Sequence, residues 1–176
     1  MSDELRCAPR LETERLILRG HTVDDFDDCA AMWGDTVVTR HIGGRPFTRE
    51  ECWSRLLRYR GHWALLGFGY WVVCDKRSQR FVGEVGFAEF QRAIEPSFGG
   101  APEAGWVLAP WSYGRGYATE ALGAALGWAD AHFDAKRTVC MIDPPNTASI
   151  RVAHKAGYRE FARASYHGEP VILFER

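Results

Sequence analysis

The stretch VLAPWSYGRGYATEALGAALGWADAHF, Val107 to Phe133, decides how the chain is read. It passes from an apolar, strand-like run through the glycine-flanked arginine Gly114-Arg115-Gly116 into a segment with helical periodicity. Inside a helix each glycine would cost up to about 1 kcal/mol, so the pair instead marks a tight turn whose bare backbone can approach a partner. From Tyr117 onward, Ala121, Leu122, Ala125, Leu126, Trp128 and Ala129 recur at spacings of three and four and define one buried face. The spacing therefore predicts a loop followed at once by a helix N-terminus. The first N–H groups of such a helix lack intrahelical partners and its dipole places about +0.5 charge there, which suits an anion such as phosphate.

Working outward, the residues before this junction alternate between strand and helix patterns. RLILRG from Arg15 reads as a first strand, and Thr22 with Asp25 opens a helix through an acidic capping box. A second helix starts at the capping pair Thr48 and Glu51, with Trp53, Leu56, Leu57 and Arg60 tracing its face. Between them TRHIGGRPF, broken by Gly43, Gly44 and Pro46, is expected to be a flexible loop carrying His41 and Arg45. GYWVVCD and RFVGEVGFAEF, joined by KRSQ, read as an antiparallel hairpin, and EAGWVLA as a central strand ending before Pro110. Beyond the glycine turn and its helix, RTVCMI reads as a buried strand and NTASIRVAHKAG as a short helix from Asn146 to Gly157. YREFAR and VILFER are the last strands.

The 176 residues fit one domain spanning 1–176, with no linker that would divide it. Basic residues number 22 and acidic ones 23, so no basic stripe marks a nucleic-acid surface. Five scattered cysteines without a C-x-x-C pair fit reduced thiols. The first residues hold no apolar leader core and no later run spans a membrane, so a soluble cytoplasmic protein is expected. The six histidines show neither H-E-x-x-H nor Cys/His ligand spacing, and no metal is expected.

The order of elements, the loop YGRGYATEA and the later NTASIRVAHKAGY together resemble the GCN5-related N-acetyltransferase (GNAT) superfamily. RLILR, FTREEC and FVGEVGF are similar to the RimJ/RimL-like branch, which acetylates the N-termini of ribosomal proteins. Gly116 and Ala118 match the small positions of the family's phosphate-loop signature, while Tyr113 stands where the family carries Gln or Arg.

The resemblance implies an α/β fold with a mixed, mostly antiparallel sheet flanked by helices, whose strand Glu103 to Ala109 splays from RTVCMI. It also implies that the pantetheine arm of acetyl-CoA lies in the gap. Backbone of Trp106, Val107 and Leu108 would then bind its amides, and N–H groups across Tyr113, Gly114, Arg115, Gly116, Tyr117, Ala118 and Thr119 would cradle the pyrophosphate. The Leu108 N–H is the candidate to polarise the thioester carbonyl.

Direct acyl transfer needs a base for the amine and a donor for the developing oxyanion. Glu103 is the first candidate base and Glu84 its rival, each against the alternative of a salt-bridged strand carboxylate. The family's tyrosine acid falls on Ala153 here, so that role does not transfer. Ser149 matches a hydroxyl that the ribosomal-protein branch places near the CoA sulfur, and Asn146 caps its helix while touching the arm. Tyr117 and Tyr158 read as packing residues, and Trp33 and Trp63 as walls of an acceptor pocket.

The expected partners are acetyl-CoA and a primary amine, with no nucleic acid or membrane, in a monomer or homodimer. A protein α-amine is the first acceptor. An aminoglycoside, polyamine or other small amine is the alternative, as is a non-catalytic acyl-CoA sensing module.

Overall fold

Strands and helices begin where capping and turn residues place them. The elements run β1 (Leu11–Glu12), β2 (Leu16–Arg19), α1 (Phe26–Trp33), α2 (Thr36–Thr39), α3 (Arg49–Leu66), β3 (Tyr70–Asp75), β4 (Phe81–Ala88) and β5 (Glu103–Leu108). There follow α4 (Tyr117–His132), β6 (Val139–Ile142), α5 (Thr147–Lys155), β7 (Arg159–Tyr166) and β8 (Glu169–Glu175). This computed structural model describes residues 7–134 and 137–176; residues 1–6, on which part of the leader expectation falls, lie outside them. Thr48 accepts from the Glu51 N–H at 3.2 Å while the Glu51 carboxylate accepts from the Thr48 N–H at 2.8 Å, so α3 starts on a reciprocal capping box. The Thr22 N–H donates to Asp25 at 2.7 Å ahead of α1. No helix among the described residues is long and apolar enough to cross a membrane.

The strands form one mixed sheet in the order β1-β2-β3-β4-β5-β6-β8-β7. Period-two alternation splits β3 between its two faces. Trp71 and Val73 pack with Leu122, Ala125 and Leu126 of α4, whereas Val72 and Cys74 pack with Cys29, Met32 and Trp33 of α1. Every pairing is antiparallel except β5 with β6, and that parallel ladder is confined to Glu103 opposite Val139. The Val139 N–H donates to the Pro102 carbonyl at 3.1 Å. Beyond this point no pairing joins β5 to β6 among the described residues, so the sheet splays.

Three expectations are corrected. The buried face of α3 is Cys52, Leu56, Tyr59, His62 and Trp63, while Trp53 and Leu57 are 38% and 50% exposed. Trp53 and Leu57 each lie one residue, about 100° of turn, beyond a buried position, and Trp53 instead packs edge-on to Phe26 at 5.2 Å. Trp63 does not border the cleft described below: it lies in the core, 4.8 Å from Trp71 and 5.3 Å from Trp128. The segment read as loop gives Thr39 to α2, a β-branched turn of helix capped by Asp35, whose carboxylate accepts from the Val37 N–H at 2.7 Å.

Candidate functional site

A cleft of about 850 Å³ opens where β5 and β6 part. Glu103 to Val107 form one wall, and Cys140 to Asp143 with Asn146 and Ser149 form the other. The loop around His41, the α3 residues Arg55, Arg58 and Tyr59, and the β7–β8 turn close the rest.

Strand alternation decides which backbone groups face this gap. The Ala109 N–H donates to Val82 on β4 at 2.8 Å, so Val107 and Gly105 also direct their backbone groups to β4. The Pro102 carbonyl bonds to β6, so Trp106 and Leu108, in the same phase, turn theirs toward the splay. Two of the three residues expected to offer backbone are thus oriented for it. Val107 is not, because its groups belong to the β4 ladder. Leu108 is buried just outside the cleft lining.

After β5 a 3-10 turn over Pro110–Ser112 leads to Gly114 (φ +72°) and Gly116 (φ +78°), the latter capping α4. Within the chain a Cβ at Gly116 would meet only the Arg15 guanidinium at 3.5 Å, and one at Gly114 would meet nothing. The left-handed backbone therefore accounts for the glycines, and crowding by the chain itself does not. Tyr113 to Thr119 lie beyond the cleft at the outer end of β5. Arg15 closes this turn by donating to the Arg115 carbonyl at 2.9 Å, and is itself held by Glu120 at 2.7 Å. Arg80 and Arg115 stack over Trp111 at 4.1 and 5.6 Å, bringing two cations beside the turn. Tyr117 is buried and donates to Asp75 at 2.7 Å.

Both candidate bases are engaged. Glu103 borders the cleft, and its two oxygens accept from Arg92 Nε at 2.5 Å and Nη2 at 2.9 Å. Arg92 also donates to Tyr166 Oη at 3.1 Å. Glu84 is 1% exposed and away from the cleft, accepting from Trp33 Nε1 at 2.8 Å and Cys29 Sγ at 3.3 Å, with His21 Nε2 at 2.8 Å. Burial alone would raise its carboxyl pKa, but these bonds, His21 first, hold it below the usual range. His21, Cys29 and Glu84 converge within 4.8 Å, a juxtaposition the sequence spacing did not reveal. Burial and Glu84 push the Cys29 thiol up, so it stays protonated and donates within this internal network.

The fold also assembles a pair that sequence reading missed. His41 Nδ1 lies 2.5 Å from Asp143 Oδ2, across 102 positions of chain, on the cleft. Among the described residues His41 Nε2 has no protein partner. No local motif marks the pair, because α2 and the end of β6 meet only in the tertiary structure. Asn146 caps α5 by accepting from the Ser149 N–H at 3.1 Å, and both residues line the cleft. Trp33 lines it too, whereas Ala153 is wholly buried and offers no acid. Tyr158 is a core residue bonded to Thr138 at 2.7 Å.

The acetyltransferase (GNAT) domain family matches residues 15–159. YkkB of Bacillus subtilis, whose activity is uncharacterized, is 32% identical over 173 residues, 95% of each chain. A structure from Bordetella pertussis assigned to the GnaT acetyltransferase family superposes with a TM-score of 0.84 at 32% identity, covering 96% of this chain and 99% of that one. At 16% identity the spermidine N-acetyltransferase of Vibrio cholerae, in complex with CoA and spermine, shares the fold, with a TM-score of 0.73 over 93% and 96% of the two chains.

Proposed function

The chain belongs to the GNAT acetyltransferase family and is an N-acetyltransferase, and we propose that it moves the acetyl group of acetyl-CoA directly to a primary amine. One observation carries the reading: Trp106 and Leu108 turn backbone groups into a splayed gap that runs on to a glycine turn at a helix N-terminus. The donor supplies an activated thioester. Trp106 and Leu108 offer backbone groups to its amides, and the N–H groups from Tyr113 to Thr119, with Arg115 at the rim, face its pyrophosphate. Asn146 and the Ser149 hydroxyl border the opposite wall.

For the amine's proton we assign His41 as acceptor. Asp143 holds Nδ1–H and leaves the Nε2 lone pair to the cleft, whereas both Glu103 oxygens are spent on Arg92. Glu103 is the second reading, favoured by its place at the start of β5 on the same cleft. A polypeptide α-amine is the first acceptor, as the motifs shared with the RimJ/RimL-like branch imply, and a small amine is the alternative.

Incubating the protein with acetyl-CoA and a panel of peptides and small amines, reading thiol release and product mass, tests this. Acetyl-CoA at 100 times its Kd should also stabilise the fold by about 2.7 kcal/mol. Absence of both a melting shift and thiol release would sink the proposal. A shift without release from any amine would leave an acyl-CoA-binding module.

A further inference from the structure

The acceptor side of the cleft is cationic in a way the transfer chemistry does not require. Four arginines line it, Arg40, Arg55, Arg58 and Arg92, and among the described residues only Arg92 has a carboxylate partner. Arg55 lies with its guanidinium 3.9 Å over the Trp33 ring and 4.7 Å from that of Phe47. Among the described residues its one hydrogen bond goes from Nη1 to Tyr59 Oη at 3.1 Å, and its buried Nε has no partner. Arg58, one turn of α3 away, stacks 5.1 Å over Phe90 and makes no hydrogen bond or ion pair among the described residues. Partial burial first, then the neighbouring Arg55 and Arg92, hold the Arg58 pKa below its ordinary value, whereas, against burial, Tyr59 and then Glu84 hold that of Arg55 above its own.

The carboxylates on the same cleft leave this charge in place. Glu103 is taken by Arg92, Asp143 faces His41, and Glu169 is exposed on the β7–β8 turn. The nearby Glu84 spends its hydrogen bonds on His21, Cys29 and Trp33 and reaches Arg55 through space without an ion pair. Two stacked guanidiniums with free donors, set in aromatic walls, form a site for a planar or tetrahedral oxyanion. The same field repels a polycation.

We infer that Arg55 and Arg58 bind an anionic group of the acceptor, a carboxylate or phosphate, so that this enzyme acetylates acidic amines. The inference rests on the reading of the cleft as the acceptor side of an N-acetyltransferase. The anion could be an acidic side chain next to a polypeptide's α-amine or the acid group of a small amine. The two sources share one chemistry and are separated by the substrates tested.

The experiment uses the full chain with Ser-Glu-Glu-Phe-amide, Ser-Gln-Gln-Phe-amide and Ser-Lys-Lys-Phe-amide, and with β-alanine against β-alaninamide and phosphoethanolamine against ethanolamine. Turnover is read as kcat/KM and binding by calorimetry. The acidic member of at least one series should be preferred about ten- to a hundredfold, the range of a charge-assisted contact. The series that shows the preference identifies the source. In Arg58→Glu the preference should collapse or invert toward the lysine peptide, an effect that a packing role could not produce. Arg58 is chosen because its exposed position spares the fold, and Arg55→Gln serves as the second variant, its folding checked by melting. Equal or higher kcat/KM for neutral and cationic acceptors, or a uniform change across all acceptors in Arg58→Glu, overturns the anion site while leaving acetyl transfer intact. Arg58-dependent binding of acids without thiol release keeps the anion site and removes the catalytic reading instead.

Discussion

His41 Nδ1 meets Asp143 Oδ2 at 2.5 Å, joining the loop after α2 to the residue that follows β6. A carboxylate on Nδ1 favours the tautomer that carries the proton there, which leaves Nε2 as the ring's acceptor. His41→Gln should lower kcat by about a hundredfold or more, the usual contribution of a positioned base, and leave the acetyl-CoA melting shift in place. The defect should narrow as pH rises and the amine becomes neutral unaided. Asp143→Asn should give a smaller loss with the same pH trend. Wild-type rates in His41→Gln, set against a large loss in Glu103→Gln, would transfer the base to Glu103.

Glu103 and Arg92 form a bidentate pair with side chains only 10% and 19% exposed. Removing one partner strands the other charge in a mostly buried place, so Glu103→Gln should cost up to about 3 kcal/mol of folding stability. Adding Arg92→Gln should restore part of that loss, because the stranded charge goes with it. Denaturant titration of the three variants measures the coupling. If stability and turnover recover together in the double variant, Glu103 serves only to neutralise Arg92, and neither the pair nor the Arg92–Tyr166 contact is needed for the chemistry. Recovery of stability alone would leave Glu103 a role in the chemistry.

The glycine turn, the helix that follows it and strand β5 were legible because each is local: glycine conformation, period 3.6 and period 2 act within a few residues, whereas the splay of β5 from β6 was implied only by the family resemblance. Both capping pairs and the hairpin were legible for the same reason. The acceptor half was not. Arg55 and Arg58 share one face of α3, but His41, Arg92 and Asp143 come from three other stretches, and nothing in the sequence near each one announces the others. The misread face of α3 shows the same limit from another side, since Tyr59 and His62 are buried through partners on β3 and beyond β4 rather than through their own hydrophobicity. Glu84 stood out as a carboxylate inside an apolar strand, but only the tertiary structure encloses it.

Asp75 links the hairpin between β3 and β4 to the first residue of α4. Its carboxylate accepts from the Ser78 N–H at 2.9 Å, the Tyr117 hydroxyl at 2.7 Å, the Ser78 hydroxyl and the Arg77 N–H. These bonds, Ser78 first, bring its pKa to about 2. An unfolded aspartate titrates near ~3.9, so the unfolded state takes up the proton first. The stabilisation is whole above about pH 4 and disappears as pH falls toward 2. Asp75→Asn should therefore be less stable than wild type at neutral pH, with a gap that closes over that window. Stability measured at fixed intervals from pH 6 to pH 2 decides it, and a gap of constant size would show that the charge of Asp75 is not what matters.

Gly116 and Gly100 share a left-handed backbone, at φ +78° and +76°, and neither would bring a Cβ against the chain's own backbone. Alanine at either position should cost about 1 kcal/mol of stability for the same conformational reason. Their positions differ. Gly116 caps α4 at the turn assigned to the pyrophosphate, while Gly100 lies in the loop before β5. If the pyrophosphate sits on the N–H groups at the head of α4, a methyl at Gly116 would crowd it, so Gly116→Ala should weaken acetyl-CoA binding beyond its effect on folding. Gly100→Ala should lose stability alone. Arg115→Ala supplies the electrostatic comparison, a modest loss of affinity that fades as salt rises, because its contact is a screened charge at the rim. The loss in Gly116→Ala should persist at high salt, being steric. Calorimetric affinities and melting temperatures of the three variants, at two salt concentrations, separate these effects. If Gly116→Ala and Gly100→Ala bind acetyl-CoA equally well, the turn at the head of α4 serves only the fold and the pyrophosphate must be held elsewhere.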